Sequence, residues 1–129
     1  MNIDDALTTA CERVPGLVHG ALVLLPDGFL LGATRGTRMH DLEPVVRSAG
    51  KCVANSAAPA LGGRDIGTFV EYVFVIHDQL VVIQLGRRDP RLALVVVTST
   101  EPNLGFVLNT TRLVVGEVEQ TVDLARWGV

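Results

Sequence analysis

The side chains of this 129-residue chain that could do chemistry include three histidines and two cysteines, and their spacing argues against it. His19, His40 and His77 stand 21 and 37 positions apart. None are paired at i and i+4, the spacing that would put two imidazoles on one helical face for a metal. Cys11 and Cys52 are 41 positions apart with no Cys-x-x-Cys. Both fall on apolar faces of expected helices, where cysteine behaves as a small hydrophobe. Ser48, Ser56 and Ser99 lie in no Gly-x-Ser-x-Gly elbow that would expose a nucleophile. Asp4, Asp5, Glu117 and Glu119 read as solvated helix positions. Glu71 is embedded in an apolar strand, where an inward or edge charge blocks unwanted strand pairing. A phosphate-binding loop would need Ser or Thr after Gly50-Lys51 and a glycine at Val45, and neither is present. These residues predict no enzyme, no cofactor and no metal site.

Two features suggest binding instead. Arg87, Arg88 and Arg91 concentrate positive charge in one loop of a chain whose net charge is −3. Such a loop is either simply solvated or suited to an acidic partner. The second feature is a helix over 42–58 crowded with small residues, next to an apolar strand over 68–76. Gly50 within that helix costs about 1 kcal/mol relative to Ala, so close packing is expected there, on the chain's own sheet or on another helix. A strand edge carrying Val70, Tyr72 and Phe74 is an aggregation hazard unless covered or paired.

Composition narrows the field. Apolar residues make up 48% and charged residues 19%, an ordinary globular balance rather than a disordered one. With a pI near 5.5, the chain lacks the electrostatic footprint for nucleic acid, and no basic run suits an anionic membrane. Apolar runs such as 92–97 fall far short of the ~18 residues that suggest a spanning segment. The first residues carry acids where a secretory signal needs bases, so a cytoplasmic protein is expected. Length predicts a single domain over 1–129, with a core over 2–122 and a short tail over 123–129.

The elements that must position these residues follow from periodicity. Ile3, Ala6, Leu7, Ala10, Cys11 and Val14 make one helical stripe over 3–14, capped by Asn2 and stopped by Pro15-Gly16. A hairpin over 18–33 turns at Pro26-Asp27-Gly28. Its first strand is apolar at both parities, with Leu17, Ala21, Val23 and Leu25 on one face and Val18, Leu22 and Leu24 on the other. Such a strand is covered on both faces. The loop over 34–40 carries Arg35 and Arg38. Asp41 can cap the helix over 42–58, with Pro44 in its first turn. Strands over 68–76, 80–85 and 92–98 follow with short connections, which implies an antiparallel meander. The strand over 92–98 is the most apolar and so the most central. Asn103 caps a last helix that continues to about residue 125, and Trp127 in the tail is expected to fold back on the body. The order α-β-β-α-β-β-β-α predicts an α+β sandwich with one five-stranded antiparallel sheet and helices on both faces.

The opening helix ending in Val14-Pro15-Gly16-Leu17, then Gly20-Ala21-Leu22-Val23 and Pro26-Asp27-Gly28, resemble those of a roadblock (dynein light chain-like) domain. The small-residue second helix, the three-strand meander and Asn103-Leu104-Gly105 at the last helix also fit, so the resemblance covers residues 2–122. It implies a profilin- and longin-like fold with strand order second-first-fifth-fourth-third. It also implies a homodimer joined through third strands and second helices. The interface residues would be Leu42, Val46, Ala49, Gly50, Val53 and Ala57 on the helix, and Val70, Tyr72 and Phe74 on the strand. Family members are non-catalytic platforms that regulate Ras-like small GTPases, and the Lys-poor, Val- and Ala-rich composition resembles the bacterial branch. Arg35, Arg38, Arg87, Arg88 and Arg91 are the candidate partner-binding residues. The alternatives are a small-ligand sensor of profilin- or PAS-like build and a structural subunit of a larger assembly.

Overall fold

The structure, a computed structural model, describes residues 2–25, 28–56, 71–89 and 91–122, excepting the side chains of residues 39, 49, 50 and 52–56. The chain runs α1 (Ile3–Cys11), β1 (Leu17–Leu24), β2 (Phe29–Ala33), α2 (Met39–Ser56), β3 (Glu71–Ile76), β4 (Gln79–Leu85), β5 (Leu92–Ser99), α3 (Leu104–Glu119). All strand pairs are antiparallel, in the order β2-β1-β5-β4-β3. Both the element order and the strand order are those expected from the sequence. Ala57, Val70, the start of the third strand at 68–70, Pro26-Asp27 of the hairpin turn and the tail with Trp127 lie outside the described residues.

The core is built outward from β5. Leu92, Leu94 and Val96 face one way, and Ala93, Val95 and Val97 face the other; all six are buried. The first set joins Leu22 and Val82 beneath α1 and α3. The second joins Ala21, Val23, Val81 and Ile83 beneath α2. At about 25 cal/mol per Å² of apolar area, a strand buried on both faces stabilises from both.

β1 departs from simple alternation. Leu17 pairs with Thr98 and His19 with Val97, so two residues of β1 step past one of β5. This bulge turns Leu17 onto the α1–α3 core, not to the side of Ala21 and Val23 where a period of two puts it. Val18 is left 42% exposed.

The helix ends are decided by hydrogen bonds. The Asn2 Oδ1 accepts the Asp5 N–H at 2.8 Å, and the Asn103 Oδ1 accepts the Phe106 N–H at 3.3 Å, so both expected caps are present. α1 ends at Cys11 rather than at 14, although Val14 still reaches the core. α2 begins at Met39, before the expected start at 42. The Asp41 N–H bonds the Arg38 carbonyl, so Asp41 lies within the first turn instead of capping it, and Pro44 falls inside the helix. α3 stops at Glu119, not near 125.

Close backbone approach fixes α1 on β2. A Cβ at Gly32 would stand 2.5 Å from Ile3 Cγ2 and 2.9 Å from Asp4 Oδ1. Gly116, inside α3, faces open space. The same substitution at the two sites should therefore have opposite signs in urea denaturation. Gly32→Ala should destabilise by about 1–3 kcal/mol through overpacking. Gly116→Ala should stabilise by up to ~1 kcal/mol through helix propensity.

Cys11 is fully buried in the same α1 contact, and burial pushes its thiol up to about 12. The folded chain keeps this proton through the range where the unfolded chain loses it. The associated stability is complete below about pH 9 and is lost progressively as pH rises toward 12. Between pH 8 and 10.5 the wild type should lose about 2 kcal/mol more stability than Cys11→Ala, read from urea midpoints.

Candidate functional site

The His19 Nδ1 lies 3.2 Å from the Thr37 hydroxyl, and the His40 Nε2 lies 3.2 Å from Asp41. His77 occupies the β3–β4 turn with φ 55. Among the described residues, no three His, Cys, Asp or Glu side chains gather where they could hold a metal ion. The Cys11 thiol is held protonated by its burial and is no nucleophile. Glu71 is engaged by both arms of the Arg112 guanidinium at 2.9 Å, an ion pair that ties the edge strand to α3. No described helix is long and apolar enough to cross a membrane.

The candidate partner-binding arginines fall into two groups at opposite ends of β1. The first group follows β2. Thr34 is buried; its Oγ1 accepts the Gly20 N–H at 3.0 Å and lies 2.9 Å from the Thr37 hydroxyl, which in turn meets His19. The Arg35 N–H bonds the Thr8 hydroxyl at 3.0 Å. These bonds pin the backbone of a loop from which Arg35 and Arg38 project into solvent. Arg35 makes a distant pair with Asp5 at 3.9 Å, with most of its side chain exposed.

The second group is the loop 86–91, beside Leu25, whose N–H bonds the Arg91 carbonyl. Its organiser is Glu119. This carboxylate is buried, not solvated as expected, and accepts three successive backbone N–H groups. The distances are 3.0 Å from Arg87, 2.9 Å from Arg88 and 3.2 Å from Asp89. Gly86 makes room for it, since a Cβ there would lie 2.6 Å from Glu119 Oε2. A signal for this existed in the sequence: Val115, Val118, Glu119 and Val122 share one helical stripe, so a carboxylate interrupts an apolar face. Within the loop, Arg91 is bound to Asp89 through Nε at 3.0 Å and through its terminal nitrogen at 2.6 Å. That hydrogen bond lowers the Asp89 carboxyl and raises the Arg91 guanidinium. Arg87 and Arg88 remain exposed. From Gly20 to Leu25 the two groups are separated by five residues of strand, on the order of 16 Å.

The expected dimer surface is also redistributed. Leu42 and Val46 are buried against the chain's own sheet, which leaves them little surface for a second copy. Tyr72 and Phe74 are half-buried on the same side, under α2. The backbone of Ala49, Gly50 and Val53 is helical, and their side chains lie outside the description. Between α2 and the sheet edge runs a groove of about 310 Å³, lined by Val45, Ser48, Phe74 and Ile76 over Val81 and Ile83. β3 pairs with β4 on one side, and among the described residues no strand pairs with its other side. Along β3, Val73 and Val75, on the face opposite Tyr72 and Phe74, are 39% and 69% exposed, and Ile76 is 41% exposed.

The sequence matches no family model and no curated protein. Solved structures do match. A Roadblock/LC7 domain from Streptomyces avermitilis is 16% identical with a TM-score of 0.76, over 94% of this chain and 98% of that one. Myxococcus xanthus MglB is 17% identical with a TM-score of 0.73, over 92% and 93% of the two chains. A profilin from Schizosaccharomyces pombe is 10% identical with a TM-score of 0.65, over 95% and 100%. The described chain thus has the roadblock/LC7 fold, an α+β arrangement that it shares with profilin.

Proposed function

We propose that this chain is a non-catalytic, cytoplasmic homodimer that binds a Ras-like small GTPase and alters its nucleotide cycle or location. The observation that carries this reading is the end-to-end match to roadblock/LC7 and MglB structures, joined to the GTPase role that the sequence resemblance implies. The polar groups support it. His19, Glu71, Glu119 and Asp89 are engaged in holding loops and edges, an arrangement suited to a rigid platform. The exposed apolar residues of β3, the last strand of the described sheet, support self-association, because an apolar strand edge is a template for another strand.

With Leu42 and Val46 facing inward, the proposed dimer contact centres on the β3 edge and the outer face of α2. Arg35 and Arg38 then serve as the GTPase-facing residues, on a loop held firmly enough to position a guanidinium. Neither is proposed to enter the GTPase active site.

Two measurements test this reading. GTP hydrolysis by a Ras-like small GTPase from the same genome should change at least severalfold when the protein is added. An unchanged rate together with no co-purification in either nucleotide state would remove the GTPase role. Val73→Glu/Val75→Glu places like charges on exposed positions of the β3 edge, where cross-strand repulsion is destabilising. It should convert a dimer to a folded monomer in light scattering, and an unchanged dimer would refute the proposed interface.

A further inference from the structure

Five of the described arginines have a carboxylate partner: Arg13 with Glu117, Arg35 with Asp5, Arg47 with Glu43, Arg91 with Asp89 and Arg112 with Glu71. Arg38, Arg87 and Arg88 have none among the described residues. Two of these three are consecutive, and they sit on the loop whose backbone is the most heavily restrained.

The restraint has a specific form. Successive backbone N–H groups in a turn make a concave anion-binding nest. Here the nest of Arg87, Arg88 and Asp89 is already filled by the chain's own Glu119 carboxylate. Asp89 is likewise occupied by Arg91, through its side chain and through the Arg91 N–H at 3.0 Å. Both acids near the loop are therefore committed to holding its shape, and neither pairs with the guanidinium of Arg87 or Arg88. The loop end is further closed by the Gly86 N–H on the Leu92 carbonyl at 2.8 Å. A flexible arginine must be ordered when it binds; a loop fixed in advance removes the backbone part of that cost.

The geometry points to loop 86–91 as a preorganised docking element, with Arg87 and Arg88 receiving a carboxylate-rich segment of a protein partner. The planar guanidinium fork matches a carboxylate in bidentate fashion. Two charges on a chain of net charge −3 are too few for a lipid surface, which takes clusters of about 4–8. They are also too few for a nucleic-acid track, which needs a basic face. This surface is distinct from the Arg35–Arg38 loop at the other end of β1, and it does not depend on the GTPase reading.

The probe is a hexaglutamate peptide titrated into the ¹⁵N-labelled full chain at low salt. Amide shifts should concentrate at residues 86–89 and 91, and R87A/R88A should weaken binding about tenfold while R35A/R38A leaves it unchanged. E119Q keeps one acceptor and the fold. It should speed hydrogen exchange at the amides of Arg87, Arg88 and Asp89 and weaken peptide binding severalfold. Shifts spread over the surface, or binding that survives R87A/R88A, would overturn the proposal. So would a preference for phosphatidylserine vesicles or inorganic phosphate over the peptide. If E119Q leaves both exchange and binding unchanged, the preorganisation argument fails.

Discussion

The constraint on which everything else rests is a sheet whose three inner strands are apolar on both faces. β1, β5 and β4 place Leu22, Leu94 and Val82 on one side and Val23, Val95 and Ile83 on the other, all fully buried. Neither face can meet water, so the chain must supply cover twice. It does so asymmetrically: α1 and α3 share one face, and α2 takes the other. That division explains why the first and last elements of the chain meet, with Arg13 of the α1 end pairing with Glu117 of α3.

Upon this rigid sheet, the loops are held by buried polar groups rather than by apolar packing. Thr34 holds one loop to Gly20, and Glu119 holds another through three amides. Each clamp removes backbone freedom at the point where arginines emerge. Satisfied buried hydrogen bonds contribute modestly to net stability, about 1 kcal/mol each, but leaving one unmade costs more. The loops are thus restrained by the penalty for opening them.

Most of the architecture was legible because it follows from local, periodic signals. Asn2 and Asn103 announce helix starts through a side-chain oxygen three residues before an N–H. The apolar stretch at 92–97 announces the central strand. What escaped is whatever depends on a single extra residue or a single distant partner. The bulge at Val18 moves Leu17 to the other face, and no period-two count registers it. Pro44 looked like a first-turn residue, yet the Asp41 N–H finds the Arg38 carbonyl and the helix starts a turn earlier. Glu119 reads as polar and therefore solvated; only its place in the Val115–Val118–Val122 stripe hints that it points inward. The arginines cluster in the sequence as one list, while β1 separates them in space.

The two rims of the sheet are treated differently. Along β2 the outward amide of Ala33 is taken by the Asp4 carboxylate at 2.9 Å, and the next amide, of Arg35, goes to Thr8. Helix α1 thereby occupies the groups that another strand would need. At the far rim β3 is the last strand among the described residues, and it carries the exposed apolar side chains Val73, Val75 and Ile76. The β2 rim is thereby the less suited of the two to receive another strand.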